Sequence, residues 1–306
     1  MKIMVFDVGG TEIKYSVMDE QMHRTDSGAV PTPQDTQAQF LDAVYRLHAP
    51  HKDEVSGIAM ALPGFVDNRT GYVSNGGALL YNTATPVGQL LAEKCGCPVI
   101  LENDGKAAAM AELANGALKD CCNAAVFIIG TGVGGGIIAN GQLVRGVHFT
   151  AGEYSFVNTN AEAWDAPDQN MACQCSTSNL LKWYRARKAL PEDAPLDGRS
   201  FFAAANAGEP EALEVLRRFC HAVAVQIYNL TVLLDVEKVA IGGGISKQPL
   251  LLESLRSAYD GLYASRAGQA YMEGLPRCQI VPCAFSSEAN QVGVAAAYFE
   301  AMQKKC

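Results

Sequence analysis

Twice in this chain an apolar run enters a short glycine–threonine loop and leaves as a second strand-like run. The first unit is VFDVGGTEIKYSVMD, from Val5; the second is VFIIGTGVGGGIIANG, from Val126, roughly 120 positions on. In the first, Ile13, Tyr15 and Val17 alternate with Lys14 and Ser16, the period of a strand. Two such units suggest two related lobes, each offering a glycine hairpin to a shared cleft. Glycine leaves backbone N–H groups unobstructed and allows the positive φ of anion-binding nests. Gly9-Gly10-Thr11 and Gly130-Thr131-Gly132 both offer this, each with a threonine hydroxyl able to donate to a phosphate oxygen. A tight turn without a ligand would use the same residues; the repetition favours the phosphate.

Gly130, Gly132 and Gly135 also fit G-x-G-x-x-G, the spacing of a dinucleotide-binding turn. That turn must open a helix, because the pyrophosphate sits on the helix N-terminus. Here the glycines lead instead into β-branched residues around Asn140-Gly141, a hairpin dipeptide. Nicotinamide cofactors are therefore not expected. Neither loop carries the G-K-[ST] of a P-loop. A third run, AIGGGISKQ, reads as strand, Gly242-Gly243-Gly244, Ser246 as N-cap, then helix. An adenosine pocket and an ordinary strand-to-helix turn both fit it.

At 306 residues two lobes are the default. The expected division is 1–116 and 117–306, with a last helix at about 289–303 packing back on the first lobe. Helices are predicted over 34–48, from Gly105 to Gly116, over 210–234 and from Lys247; residues 157–208 read as irregular. A net charge of −8 argues against nucleic-acid and membrane-surface partners, which need a basic footprint. The start reads as no export signal and no run spans a bilayer, so the ten cysteines are expected as reduced thiols in the cytoplasm. Cys121, Cys122 and Cys278 read as core filler.

Three carboxylates stand out. Asp7 ends the first apolar run beside the first loop and suits Mg²⁺ or its waters, or a turn cap. Asn103-Asp104 closes the strand VILEN and opens a helix. A carboxylate there can take a hydroxyl proton during phosphoryl transfer, or simply cap the helix. Glu153 follows Thr150-Ala151-Gly152 and has surface decoration as its default.

Taken in order, DVGGTEIKYSVMD, ALPGFVD, LENDGKAAAMAEL, GTGVGGGIIANGQLVRGVHFTAGE and IGGGIS resemble the motifs of the ROK sugar kinases (repressor, open reading frame, kinase). The resemblance implies an α/β, two-lobe actin/hexokinase-like (ribonuclease H-like) fold and phosphorylation of a sugar hydroxyl, O6 of a hexose or β-glucoside, by ATP and Mg²⁺. It implies that Asp7, Gly9, Gly10 and Thr11 form one phosphate segment, with Mg²⁺ near Asp7, and Gly130, Thr131 and Gly132 the other. Gly242, Gly243 and Gly244 would face adenosine. Asp104 would be the catalytic base, and Gly64, Asn103, Asp104 and Glu153 would bind the sugar. A homodimer is implied as well.

The departures matter. The family's E-x-G-H is Glu153-Tyr154-Ser155-Phe156 here, and Phe156 binds neither sugar nor zinc. In the family's C-x-C-G-x-x-G-C-x-E loop, Cys173 and Cys175 remain, but Leu180 stands at the third cysteine and Lys182 at the sugar-binding glutamate. Structural zinc is not expected, since such sites want four ligands; apolar packing should hold this loop. Zinc-less relatives resemble β-glucoside kinases. Two other readings remain: a sugar-binding relative without catalysis, and a sugar-responsive repressor. The repressor would need a helix-turn-helix ahead of a strand that here starts at Lys2.

Overall fold

In the computed structural model, which describes residues 1–303, the first glycine unit is a hairpin. β1 (Lys2–Val8) and β2 (Glu12–Asp19) pair antiparallel, with Asp7 opposite Lys14. β3 (Arg24–Pro31) extends the hairpin outward. α1 (Gln37–His48) begins three residues after the start predicted from its apolar spacing. Its N-cap is Thr36, whose hydroxyl accepts from the Gln39 N–H. β4 (Ile58–Leu62) lies parallel to β1 and is buried throughout, as a strand covered on both faces must be. β5 (Phe65–Asp67) and β6 (Tyr72–Asn75) form a small separate hairpin. α2 (Val87–Cys95) stops at Gly96, and β7 (Val99–Asn103) then joins β4 in parallel. α3 (Asp104–Asn115) starts at once. The sheet order is β3-β2-β1-β4-β7, antiparallel then parallel.

The second glycine unit repeats the plan. β8 (Ala124–Ile129) and β9 (Val133–Ala139) pair antiparallel, and β10 (Gln142–Val144) follows a turn with Asn140 at φ 53° and Gly141 at φ 71°. Both residues of that turn are left-handed, which explains the Asn-Gly pair. After α4 (Met171–Cys175), α5 (Thr177–Arg187), α6 (Gly198–Asn206) and α7 (Pro210–Leu234), β11 (Lys238–Gly242) lies parallel to β8. α8 (Pro249–Ala264) leads to β12 (Gln279–Pro282), parallel to β11. The order is β10-β9-β8-β11-β12. Each sheet has the ribonuclease H-like arrangement that the resemblance implies.

Three sequence expectations need correction. Residues 157–208 are not irregular throughout: α4, α5 and α6 lie there. The apolar period of α5 is weak, since it buries only Asn179, Leu180 and Tyr184, and α6 is short, with Phe201, Phe202 and Ala205 as its buried face. A capping box between Asp197 and Ser200 starts α6. Ser246 does not cap α8. Pro249 occupies its first turn, where a fixed φ suits a helix start, and Ser246 Oγ donates to the Gly243 carbonyl at 2.9 Å. Finally, Cys121 and Cys278 are buried, but Cys122 is exposed.

The chain crosses between two compact units: Met1–Gly116 with Leu143–Ala151 and Ser287–Cys306, and Ala117–Gln142 with Gly152–Ser286. α9 (Ala289–Gln303) belongs to the first unit, where it packs on α3, β1 and β4. Val294, Ala295 and Tyr298 close over Ile3, Val5, Ala59 and Ala61. The approach to α3 is tight, because a Cβ on Gly293 would lie 1.7 Å from the Ala107 carbonyl oxygen. Among the described residues no helix is long and apolar enough to cross a membrane.

Candidate functional site

In α/β sheets, ligands gather at the carboxyl ends of parallel strands. In the first unit those ends carry Asp7, Gly64 and Asn103-Asp104. Asp7 pairs with Ala61 across β1 and β4, and Leu62 with Asn103 across β4 and β7, so all three strands deliver their last residues to one edge.

The junction of β7 and α3 is held from several sides. Asn103, not Asp104, is the N-cap: its Oδ1 accepts from the Lys106 N–H at 3.0 Å. Its Nδ2 donates to the Gly64 carbonyl at 2.9 Å and to Asp104 Oδ1 at 3.1 Å. Asp104, freed from the cap position, takes the Gly105 N–H at 2.8 Å on the same oxygen. Two donors on one carboxylate oxygen fix its orientation at the positive end of the helix dipole. Gly64 is required here: its φ is +95°, and a Cβ would fall 2.0 Å from the Asn75 carbonyl oxygen.

Gly9, Gly10 and Thr11 form the turn between β1 and β2, closed by the Gly9 N–H to the Glu12 carbonyl at 2.9 Å. Thr32 Oγ1 donates to the Gly9 carbonyl and Gln34 Nε2 to that of Gly10. Gly10 lies against Ala78, and Gly77 against Gly64, so the Gly76–Ala78 loop brings the Gly9–Thr11 turn and the Asn103 acceptor together. Asp7 is largely buried. Burial pushes its carboxyl up, against the opposing pull of an Asn290 hydrogen bond at 2.9 Å and the Lys14 ammonium at 3.9 Å.

The second unit makes its own cluster. Gly130, Thr131 and Gly132 link β8 to β9, with the Gly130 N–H donating to the Gly132 carbonyl at 3.0 Å. The N–H of Thr177, first residue of α5, donates to the Gly130 carbonyl at 2.9 Å. Ser155 Oγ accepts from the Val133 N–H at 3.0 Å and lies 3.1 Å from the carbonyl of the same residue. Gly242 ends β11 opposite Ile128, and Gly243 lies against the Ile129 carbonyl. The two glycine segments of this unit therefore adjoin. Glu153 immediately precedes the 3-10 turn Tyr154–Phe156, which carries Ser155.

The middle loop packs as an apolar element. Leu180 is fully buried beside Cys175 and Met171. Burial pushes the Cys175 thiol up to about 12. Among the described residues no group of three or more His, Cys, Asp or Glu side chains is arranged to hold a metal ion. Phe156 and Lys182 are both exposed.

Sequence reasoning misses Asn290, Ser155 and the pair Glu102–Arg145. Asn290 stands in a polar helix start, ANQ, that reads as a surface. Glu102 gives the one available signal, a carboxylate inside the strand VILEN.

Known proteins match along almost the whole chain. A β-glucoside kinase from Listeria innocua serovar 6a is 31% identical over 84% of this chain and 87% of its own. The solved structure of a ROK family protein from Streptococcus pneumoniae TIGR4 in complex with sucrose superposes with a TM-score of 0.87 at 28% identity, over 99% of this chain and 100% of that one. A ROK family glucokinase from Streptomyces griseus, solved with glucose and AMPPNP, gives 0.78 at 25% identity, over 97% and 99%. The model of the ROK family matches residues 3–303; the chain belongs to that family.

Proposed function

We propose that the protein is an ATP-dependent sugar kinase that phosphorylates O6 of a hexose, with a preference for β-glucosides over free glucose. The observation that carries the kinase reading is the β7–α3 junction, where Asn103 caps the helix, grips Gly64 and orients the Asp104 carboxylate. In this reading the sugar hydroxyl lies against Asp104, with Asn103, Gly64 and Glu153 binding neighbouring hydroxyls. Asp104 accepts the hydroxyl proton as that oxygen bonds to the γ-phosphorus and the bond from phosphorus to the ADP oxygen breaks. The glycine segments Gly9–Thr11 and Gly130–Gly132 hold the phosphates, and Gly242–Gly244 faces adenosine.

A Mg²⁺ ion fits Asp7: it is a hard oxygen donor with one carboxylate, and such ions complete their shell from phosphates and water. When bound, the ion neutralises phosphate charge; the chain's own task there is to hold the Asp7 carboxylate, which Asn290 and Lys14 do.

The β-glucoside preference rests on Phe156 and Lys182. They stand where the family's histidine and glutamate would read sugar hydroxyls, and a pocket lacking those groups admits a substituted anomeric oxygen. The L. innocua relative's name agrees with this. The same reading places a homodimer in the cytosol, a state that light scattering on the purified protein reads directly. A coupled ADP-release assay over glucose, cellobiose and gentiobiose tests the function; turnover on free glucose far above that on both disaccharides would defeat the glucoside preference.

A further inference from the structure

We propose that Arg145 is a positioning residue for phosphoryl transfer. It holds Glu102, and Glu102 holds the junction that carries Asp104. The inference rests on the reading of Asp104 as the base.

Glu102 sits on β7 with its side chain 1% exposed. A carboxylate so deeply buried needs a cation and a full set of donors. Arg145 Nε donates to its Oε2 at 2.8 Å. The other oxygen, Oε1, accepts the Asn103 backbone N–H at 3.0 Å. β7 is the edge strand of its sheet, so Glu102 supplies an acceptor that no neighbouring strand offers on that side. Arg145 Nη2 lies 3.4 Å from Met110 Sδ on α3, so one guanidinium touches both the strand and the helix that meet at Asp104. From there the contacts run on: Asn103 Nδ2 donates to Gly64 and to Asp104 Oδ1. Arg145 touches no reacting group. It acts through Glu102 and Asn103.

The segment bearing Arg145 supports the role. Leu143–Ala151 belongs to the first unit, although the residues on either side of it belong to the second. A second contact holds it there, with the Arg69 guanidinium 4.7 Å from the centre of the Phe149 ring. The Ala151 N–H closes the loop on the Arg145 carbonyl at 3.2 Å. The next two residues are Gly152 and Glu153. Arg145 thus anchors the stretch of chain that leads into the proposed sugar-binding glutamate to the strand that runs into the proposed base.

The test compares the parent, Arg145→Ala, Arg145→Lys and Asp104→Asn, all full-length. Steady-state ADP release is measured with ATP and gentiobiose, well below each variant's unfolding midpoint. Arg145→Ala should lower kcat by about 10²-fold, the cost of small misplacements at a reacting centre, with KM for ATP little changed. Added guanidinium at millimolar levels should restore part of kcat. Arg145→Lys should fall between, since an ammonium reaches Glu102 but cannot span to Met110 as well. Amide hydrogen exchange is read on the same proteins. In Arg145→Ala the Asn103 and Gly105 amides should exchange at least about tenfold faster than in the parent. A kcat within threefold of the parent, or a loss that follows the unfolded fraction and is untouched by guanidinium, overturns the proposal. If the parent shows no sugar-dependent turnover, the kinase reading fails instead; exchange at the junction then decides, and unchanged protection there overturns the role of Arg145.

Discussion

Asn290 Nδ2 donates to Asp7 Oδ1 at 2.9 Å, joining the start of α9 to the end of β1 across 283 positions. The bond steadies a carboxylate whose burial works against its charge. With its folded pKa raised above the unfolded value, Asp7 binds a proton more tightly in the native state. Its ionisation therefore costs stability as pH rises through the window from the ordinary carboxyl value of 3.8 to that raised value, and the cost is present in full above it. Asp7→Asn should raise Tm at pH 7 by roughly 2–4 °C, the shift that about 1 kcal/mol gives in a unit of this size. The gain should vanish as pH falls below 3.8. Thermal melts across pH check it, and turnover should fall in the same variant.

Gly293→Ala sets two effects against each other. Alanine favours a helix interior by about 1 kcal/mol over glycine. Against that, the new Cβ would sit 1.7 Å from the Ala107 carbonyl oxygen, a backbone atom on α3. Overpacking of this kind costs about 1–3 kcal/mol or more, so the net should be destabilising. Urea unfolding of the variant should show a lower midpoint at unchanged slope.

Gly64→Ala should damage turnover more than fold. The left-handed backbone at φ +95° and the clash with Asn75 both force the Gly64 carbonyl to move. That carbonyl anchors Asn103 Nδ2. A kcat loss of roughly 10–100-fold is expected in protein that still melts cooperatively; normal kcat would detach Gly64 from the site.

The proposed substrate preference rests on Phe156 and Lys182. kcat/KM for gentiobiose or cellobiose should exceed that for glucose by roughly 10–100-fold, the range a few pocket contacts supply. Competition between the disaccharides and glucose in one mixture measures the ratio directly.

The two hairpins are legible in the sequence because each pairs alternating side chains with a loop that only small residues can make. Asn103-Asp104 is legible as a strand-to-helix junction, although the sequence does not say which of the two caps the helix; the capping bond to Lys106 decides it. Arg145 and Asn290 are not legible. Their meaning comes from partners 43 and 283 positions away, and no local period marks such a pairing. α5 and α6 escape for different reasons: α5 buries only Asn179, Leu180 and Tyr184, and α6 is a short helix whose apolar face, Phe201, Phe202 and Ala205, spans barely more than one turn behind a capping box.

The most direct test of the account is sugar-dependent ADP release by the parent and by Asp104→Asn. The substitution keeps the size of the side chain and an oxygen to accept the Gly105 N–H, but removes the base. The account predicts robust turnover on a glucose-containing sugar in the parent and a kcat lower by about 10²–10⁴-fold in the variant, at similar Tm. Equal turnover in the two proteins would contradict it.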